Sequence, residues 1–144
     1  MSNKYAADLS VPPTPIKGAC PCRSFTFTLS HTPTKLNSCN CSFCSKRATL
    51  YANYPPSAVT IDSNTHDGVY ANKPEIGRFH FCNKCGCGTY TEAAEWEMDE
   101  AVGQYKMKEG EWRVSIDARL IEGEEVGFDV KKVEVDVIDG KNLW

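Results

Sequence analysis

The chain has 144 residues and a formal net charge of −3 at neutral pH. At this length a single domain buries roughly 70% of its unfolded surface, which permits a modest apolar core. The acidic balance, without a run of Lys and Arg interleaved with aromatic residues, argues against nucleic-acid binding. No apolar stretch is long enough for a membrane-spanning helix. We therefore expect neither a nucleic acid nor a membrane as a partner.

The N-terminal segment, residues 1–15, is predicted to be an extended arm, and the domain is predicted to run from residue 16 to residue 144. Prolines at positions 12, 13 and 15 favour extended backbone in the arm. Residues 1–10 have neither the apolar segment nor the cleavage motif of a secretion signal. We therefore expect a protein of the reducing cytosol or nucleus and assign it to the cytoplasm.

Short segments in which apolar and polar residues alternate predict a mainly β, single-domain fold. Pro55 and Pro56 end one apolar run, and a turn-rich segment at 62–68 follows another. The segments predicted to be strands are 25–29, 49–54, 58–61, 112–120 and 133–137.

Only residues 92–104 carry a helical signal. Thr89 and Glu92 have the spacing of a capping box, and several apolar residues follow among acidic ones. Gly103 and a weak apolar face count against a helix. An irregular, solvated insertion is an equally good interpretation of this segment.

The eight cysteines are the most informative feature of the chain. Cysteines this close together share a metal ion more naturally than they form disulfides, and the expected reducing compartment also disfavours a disulfide framework. A redox dithiol is disfavoured because the last motif follows a strand-like segment instead of opening a helix. The motifs are Cys20-x-Cys22, Cys39-x-Cys41-x-x-Cys44 and Cys82-x-x-Cys85-x-Cys87.

The spacing within these motifs indicates zinc. Cys82 and Cys85 are three positions apart, so their thiolates can converge on one ion while Gly86 turns the chain beneath it. Spacing alone leaves two divisions of the cysteines open. Two four-cysteine sites would both be closed and structural, whereas one four-cysteine and one three-cysteine site would leave an open coordination position.

The three cysteine motifs, in this order, resemble those of the glutathione-dependent formaldehyde-activating enzyme family, which also includes centromere protein V. The resemblance runs from about residue 16 to the C-terminus. The chain departs from the family pattern at Arg23, where a glycine is common, at Ser115, where an asparagine is common, and in an apparent acidic insertion at 92–111. The residues that carry it are Gly18-Ala-Cys20-Pro-Cys22, Cys39-Asn-Cys41-Ser-Phe-Cys44-Ser-Lys46, Phe81-Cys82-Asn-Lys-Cys85-Gly86, Val114-Ser-Ile-Asp-Ala-Arg119-Leu and Asp139-Gly140.

The resemblance implies a fold of the Mss4-like, zinc-binding β type, two Zn²⁺ ions per chain and, in the enzyme members, a carbon–sulfur lyase activity. Cys87 is left outside both implied zinc sites. The implied ligands are Cys20, Cys22, Cys82 and Cys85 for a structural site, and Cys39, Cys41 and Cys44 for a second, catalytic site.

A zinc ion with three thiolate ligands carries a formal charge of −1, so it suits binding of a further thiolate better than formation of hydroxide. We therefore expect the fourth ligand to be the sulfur of a small-molecule thiol, and we expect glutathione to be the co-substrate. The predicted reaction is formation or cleavage of a C–S bond at an aldehyde or another electrophilic carbon.

Nearby cations are predicted to offset the thiolate charge or to hold substrate carboxylates. Residues 1–91 carry nine Lys and Arg against four Asp and Glu, whereas residues 92–144 carry seven against fifteen. The candidate substrate contacts are Arg23, Lys46 and Arg47, although solvated surface positions are an equally good interpretation of each. His80 is the best-placed histidine for a proton donor, and a satisfied interior or solvent-facing position is favoured over that role.

The competing hypothesis is a non-enzymatic zinc module that binds a protein partner. Small zinc-containing folds serve this purpose as readily as catalysis, so the fold does not decide between them. The number of cysteines on the second ion distinguishes the two hypotheses, because a closed four-thiolate site cannot accept a substrate sulfur.

Overall fold

The computed structural model describes residues 4–71 and 73–140, which form eleven strands and one short α-helix. Short 3₁₀ turns occupy Pro56–Ala58, Ala118–Leu120, Glu124–Val126 and Val130–Lys132. The strands and helix are β1 Ile16–Ala19, β2 Phe25–Leu29, β3 Lys35–Cys39, α1 Ser42–Arg47, β4 Tyr51–Tyr54, β5 Val59–Asn64, β6 Asp67–Tyr70, β7 Gly77–Cys82, β8 Gly88–Asp99, β9 Gln104–Asp117, β10 Ile121–Glu122 and β11 Glu134–Ile138.

The strands form two sheets that share one core. The smaller sheet has the order β10-β1-β2-β5, and the larger has the order β11-β3-β4-β9-β8-β7-β6. The pairs are antiparallel except that β11 runs parallel to β3. The prediction of a mainly β, single-domain protein is confirmed. Within residues 4–71 and 73–140, no helix has the length and apolarity that crossing a membrane requires.

The core lies between the two sheets, and β2 shows why. Its apolar residues Phe25, Phe27 and Leu29 are at most 1% exposed, while the threonines between them face outward, as the strand period requires. Burying a side chain of this size contributes about 1.5–3 kcal/mol. Tyr54 is also fully buried, and its hydroxyl donates to the carbonyl of His31 at 2.7 Å. The predicted strand at residues 25–29 is confirmed.

The described part of the N-terminal arm packs on this core. Ala6 and Ala7 are buried. The backbone N–H of Ala6 donates to the carbonyl of Asn53 at 2.7 Å, and the carbonyl of Ala6 accepts from Thr34 N–H at 2.8 Å. These bonds join the arm to β4 and to the start of β3. The first three residues lie outside the described part of the chain.

The helical signal at residues 92–104 was misleading, because this segment forms most of β8 and the turn into β9. Trp96 lies opposite Met107, and Met98 lies opposite Tyr105. Such cross-strand pairs of large apolar side chains stabilise a hairpin. The strongly alternating β9 provides a ready partner strand, and that pairing overrides the local helical propensity.

Several element boundaries also differ from the predictions. The helix α1 was not anticipated, and the turn-rich segment at 62–68 contains the end of β5 and the start of β6. The strand predicted at 112–120 ends at Asp117. The final strand is present as β11, but its Val135 and Val137 are 40% and 74% exposed, because β11 is an edge strand.

Two strand glycines give a matched test of core packing. A Cβ on Gly18 would overlap the Phe27 ring and the Leu120 carbonyl, whereas the nearest atom to a Cβ on Gly77 is 3.6 Å away. We expect Gly18→Ala to lower the free energy of unfolding by about 2–3 kcal/mol through overpacking. Gly77→Ala should change it by less than about 1 kcal/mol. Urea unfolding measures both, and equal effects would contradict the packing described here.

Candidate metal centres

The first cluster consists of four cysteines at the ends of two strands, one from each sheet. The four Sγ atoms lie within 4.8 Å of one another, and Cys22 Sγ is 3.6 Å from both Cys20 Sγ and Cys82 Sγ. A tetrahedral ion with bonds of about 2.3 Å to sulfur needs neighbouring sulfurs about 3.8 Å apart. The cluster of Cys20, Cys22, Cys82 and Cys85 can therefore hold a metal ion.

Two tight turns bring these thiols together. After β1, the N–H of Arg23 donates to the Cys20 carbonyl at 2.9 Å, and Arg23 has a φ of 61°, which favours glycine. This conformation explains why a glycine is common at that position. After β7, Gly86 has a φ of 82°, and its N–H donates to the Cys82 carbonyl at 2.7 Å. The predicted glycine turn beneath the metal position is therefore present.

Hydrogen bonds favour the thiolate form of two cysteines in this cluster, whereas burial disfavours it at a third. Hydrogen bonds from Ser24 lower the pKa of Cys22 to about 6, and the backbone N–H of Cys87 contributes most to the lowered pKa of Cys85. Burial raises the pKa of Cys20 to about 11. A thiolate at Cys20 therefore needs a neighbouring positive charge, which a metal ion provides.

The second cluster consists of three cysteines at the junction of β3 and α1. The Sγ atoms of Cys39, Cys41 and Cys44 lie within 4.8 Å of one another, and no fourth Cys, His, Asp or Glu within residues 4–71 and 73–140 joins them. Cys41 is the N-cap of α1, and its sulfur accepts from the Cys44 N–H at 3.3 Å. The Tyr51 hydroxyl lies 3.6 Å from Cys44 Sγ. The cluster can hold a metal ion through three thiolates.

Burial and hydrogen bonds act in opposite directions on the acidity of these thiols. Burial raises the pKa of Cys39 and raises that of Cys44 to about 12. Burial also acts on Cys41, but the N–H of Cys44 and other hydrogen bonds outweigh it and lower the pKa of Cys41. Two of the three sulfurs are therefore poor thiolates unless a cation lies beside them, and a bound metal ion meets that requirement.

Cys87 belongs to neither cluster. It packs against the main core, and its carbonyl accepts from the Cys82 N–H at 2.9 Å. Burial raises the pKa of Cys87, and the neighbouring Cys85 raises it further. Its backbone supports the four-cysteine cluster, while its thiol remains that of a partly buried, apolar-like side chain. All eight cysteines lie in the described part of the chain, and none of them is in a disulfide.

The three cations predicted to contact substrate lie at two different places. Arg23 lies in the turn of the four-cysteine cluster, where its guanidinium donates to the Glu122 carboxylate at 2.9 and 3.2 Å. Lys46 is exposed on α1. Arg47 ends α1, and its guanidinium lies 5.0 Å from the centre of the Phe43 ring. The helix therefore carries Lys46 and Arg47 beside the three-cysteine cluster, and Arg23 lies at the other cluster.

A cavity of about 220 Å³, which we call the aromatic cleft, opens between α1 and the loop of the four-cysteine cluster. Its rings come from α1, β6 and β7, and two glycines form the opposite wall. Tyr70 at its mouth is 50% exposed. The residues that line it are Phe43, Arg47, Tyr70, Phe79, Phe81, Gly86 and Gly88.

A larger cavity of about 520 Å³ lies at the base of the β8–β9 hairpin and has no cysteine in its lining. Its buried carboxylate, Glu95, pairs with Lys4 at 3.3 Å and with Arg113 at 3.8 Å. Lys108 pairs with Glu111 at 2.5 Å on the same wall. This cavity contributes to neither cysteine cluster, although it is more than twice the size of the aromatic cleft.

His80 occupies a satisfied interior position. Its Nδ1 lies 2.9 Å from a carboxylate oxygen of Asp67, and its Nε2 lies 2.6 Å from one of Glu92. The ring stacks on Tyr90 with 4.0 Å between the ring centres. The histidine therefore joins β6, β7 and β8, and both ring nitrogens already have partners in the fold.

Sequence reasoning missed Tyr51, which lies beside the three-cysteine cluster, and its cross-strand partner Asp117. Tyr51 follows Cys44 by seven positions, and Asp117 lies opposite Tyr51 on β9. Burial raises the pKa of Asp117, although a hydrogen bond from the Arg119 N–H and the charge of Arg47 act to lower it. No local pattern marks Tyr51 or Asp117, because only the pairing of β4 with β9 brings them together.

Known proteins resemble this chain in sequence and in fold. The model of a family described as glutathione-dependent formaldehyde-activating enzyme matches residues 15–111. A crystal structure of a protein from Rhodobacter sphaeroides has 19% identity and a TM-score of 0.57, with 84% of this chain and 100% of that chain covered. At that identity the likeness concerns the fold. No curated protein matches the sequence.

The two clusters predict different results when one cysteine is lost. We expect about two metal ions per chain in the unmodified protein, because both clusters have the spacing for one ion. Cys82→Ser should remove the link between the sheets and unfold the protein, since structural sites of this type contribute on the order of 10 kcal/mol. Cys41→Ser should lose one metal ion while the fold survives.

Mass spectrometry of bound metal and thermal melting measure these outcomes. Cys87→Ser is the matched control, because Cys87 belongs to neither cluster and should leave the metal content at two. A content of one metal ion in the unmodified protein would contradict the two-centre interpretation.

Proposed function

The chain belongs to the glutathione-dependent formaldehyde-activating enzyme family, and we propose that it is a zinc-dependent carbon–sulfur lyase. The proposed substrates are a glutathione-type thiol and an aldehyde or another electrophilic carbon, between which a C–S bond is formed or cleaved. The proposal also includes two Zn²⁺ ions per chain, glutathione as co-substrate and a cytoplasmic location.

One observation carries the proposal: the second cluster offers three thiols and no fourth protein ligand among the described residues. Tetrahedral zinc would keep one position for a substrate. When bound there, zinc would hold a substrate sulfur as a thiolate and stabilise that sulfur anion in both directions of the reaction. The four-cysteine cluster is already complete, so we assign it a structural role.

The residues around the second cluster support this role. Burial raises the pKa of Tyr51 well above its usual range, so its hydroxyl keeps its proton and can donate to the sulfur of Cys44. Such a donor moderates the negative charge that three thiolates bring together. Lys46 and Arg47 on the same helix supply the positive charge that a fourth thiolate requires.

Contacts with the carboxylates of a glutathione-type thiol are proposed for Lys46 and Arg47. Lys46 is exposed and free to reach a ligand carboxylate, whereas Arg47 faces the aromatic cleft. Arg23 remains a proposed contact as well. Its guanidinium would have to leave Glu122, and such exposed ion pairs contribute only about 0–1 kcal/mol.

A second candidate function, a non-enzymatic zinc module that binds a protein partner, is favoured by one observation. The edge strand β11 exposes Val135 and Val137, and exposed apolar edge strands pair readily with other chains. This surface does not involve the cysteines. The lyase needs an open coordination position on the second metal ion, whereas binding of a partner through β11 does not.

X-ray absorption at the zinc edge tests the proposal directly. We expect glutathione to raise the mean number of sulfur ligands from about 3.5 to about 4 per zinc, because only the three-cysteine site has a free position. Cys41→Ser, which disrupts that site, should abolish the change. NMR exchange spectroscopy should show the protein speeding interconversion of formaldehyde, glutathione and their adduct.

The outcome that contradicts the lyase is equally definite. If all zinc is bound by four sulfurs before glutathione is added and exchange is not accelerated, the protein is the binding module. In that case a Val137→Lys change, on the exposed edge, should abolish capture of a protein partner while the metal content is unchanged.

A further inference from the structure

The aromatic cleft suggests which electrophile the enzyme accepts. We propose that the cleft binds the ring of an aromatic aldehyde, with Arg47 donating to the aldehyde oxygen. This inference rests on the proposed function, because it names the carbon substrate of the same site. Formaldehyde has no substituent that such a cleft would contact.

Four rings from three elements line the cleft, and three of them contact one another. The Phe43 and Tyr70 rings are stacked at 5.4 Å between centres, and Phe43 and Phe79 are tilted by 49° at 4.2 Å. None of these rings is fully buried. Offset and tilted arrangements of this kind favour a further ring as the next neighbour. The walls therefore present unsatisfied aromatic surface to a flat ligand.

The volume of the cleft agrees with a single ring. An apolar cavity of about 150 Å³ accepts benzene. The cleft measures about 220 Å³, which leaves space for a ring and one small substituent such as an aldehyde group.

Arg47 supplies the polar contact. Its guanidinium lies 5.0 Å from the Phe43 ring centre and 5.7 Å from that of Phe79, and its Nη1 is buried with no hydrogen-bond partner among the described residues. A buried donor without a partner is costly, so a rotation of the guanidinium that brings this nitrogen to a ligand oxygen in the cleft is favoured. A Cβ on Gly88 would overlap Nη2 of Arg47, so the glycine leaves space for this guanidinium.

Phe43 connects the cleft to the three-cysteine cluster. It packs against the group of Cys39, Cys44 and Tyr51 on one side and forms a wall of the cleft on the other. The cleft and the cluster are therefore neighbours with Phe43 between them. An aldehyde group that projects past the edge of this ring would meet a thiol held at the cluster.

The reaction then needs no further reagent. The thiolate sulfur of the co-substrate adds to the carbonyl carbon, a C–S bond forms, and the C=O π electron pair moves to oxygen. Donation from Arg47 stabilises that oxyanion as it forms. The oxygen takes a proton from water and gives a hemithioacetal. The reverse step removes that proton, breaks the C–S bond and returns aldehyde and thiolate.

Binding of an unreactive carbonyl probe tests the cleft without any catalysis. In ¹⁹F NMR titrations of the metal-loaded protein, 4′-fluoroacetophenone should bind at least tenfold more tightly than the aliphatic ketone 2-pentanone, measured by competition. Phe79→Ala, Tyr70→Ala and Arg47→Gln should each weaken the probe about three- to tenfold. Tyr105→Ala, on the exposed tip of the hairpin, should leave binding unchanged.

Tyr70→Ala separates a loss of binding from a loss of fold. Tyr70 is half exposed on an edge strand, so this variant should fold with a nearly unchanged melting temperature. Equal binding of the two ketones, or unchanged binding in both Phe79→Ala and Tyr70→Ala, would overturn the inference.

Turnover separates this inference from the proposed function. With glutathione, Phe79→Ala should lower the ratio of kcat/KM for benzaldehyde to that for formaldehyde about tenfold. Turnover of formaldehyde without binding of the aromatic probe would refute the aromatic substrate and leave the lyase standing. Probe binding with no acceleration of either exchange reaction would refute the lyase and, with it, the assignment of the ring as substrate.

Discussion

The gathering of four thiols between two sheets is the constraint on which the rest of the molecule depends. Cys20 and Cys22 come from the smaller sheet, and Cys82 and Cys85 from the larger. Burial makes a free thiolate at Cys20 costly, and a bound cation would offset that cost. The loop that carries Cys82 and Cys85 continues into the glycine wall of the aromatic cleft, so the four-cysteine cluster also shapes the adjoining surface.

A six-residue helix concentrates the chemistry of the other centre. The element α1 supplies a cysteine of the three-cysteine cluster, the aromatic wall Phe43 and two cations, while β4 places Tyr51 against the sulfur of that cysteine. A helix this short has little stability in isolation. Its geometry therefore depends on the cysteine cap at its N-terminus and on the strands on either side, so the ligand, the wall and Arg47 are expected to respond together to metal loading.

Cysteine spacing carried most of what could be predicted. The motifs are local, and thiol pairs two or three residues apart have few alternatives to a shared ion, so the spacing predicted metal sites. The division into clusters of four and three came from the family resemblance. The strand at Phe25–Leu29 was equally local. The pairing of Tyr51 with Asp117 and the aromatic cleft depend on contacts between distant segments, and no short pattern encodes such contacts. The β8–β9 hairpin is local, but cross-strand pairing, and not intrinsic propensity, decides its structure. Val137 shows the same limit of sequence reasoning. The alternation at 133–137 predicts a strand, but it does not say which face of the strand is covered, and Val137 is exposed.

The parallel pairing of β11 with β3 has a consequence for biogenesis. Ile138 lies beside Cys39, and its carbonyl accepts from the Asn40 N–H at 3.1 Å, next to the second cluster. During synthesis this edge of the cluster stays uncovered until residue 138 has left the ribosome, about a hundred residues after Cys39. Contacts so distant in sequence form late. The cysteines of this cluster have all emerged by residue 44, whereas those of the four-cysteine cluster are complete only at residue 85. The second cluster is therefore the one whose thiols wait longest, with one edge uncovered, for the rest of the fold.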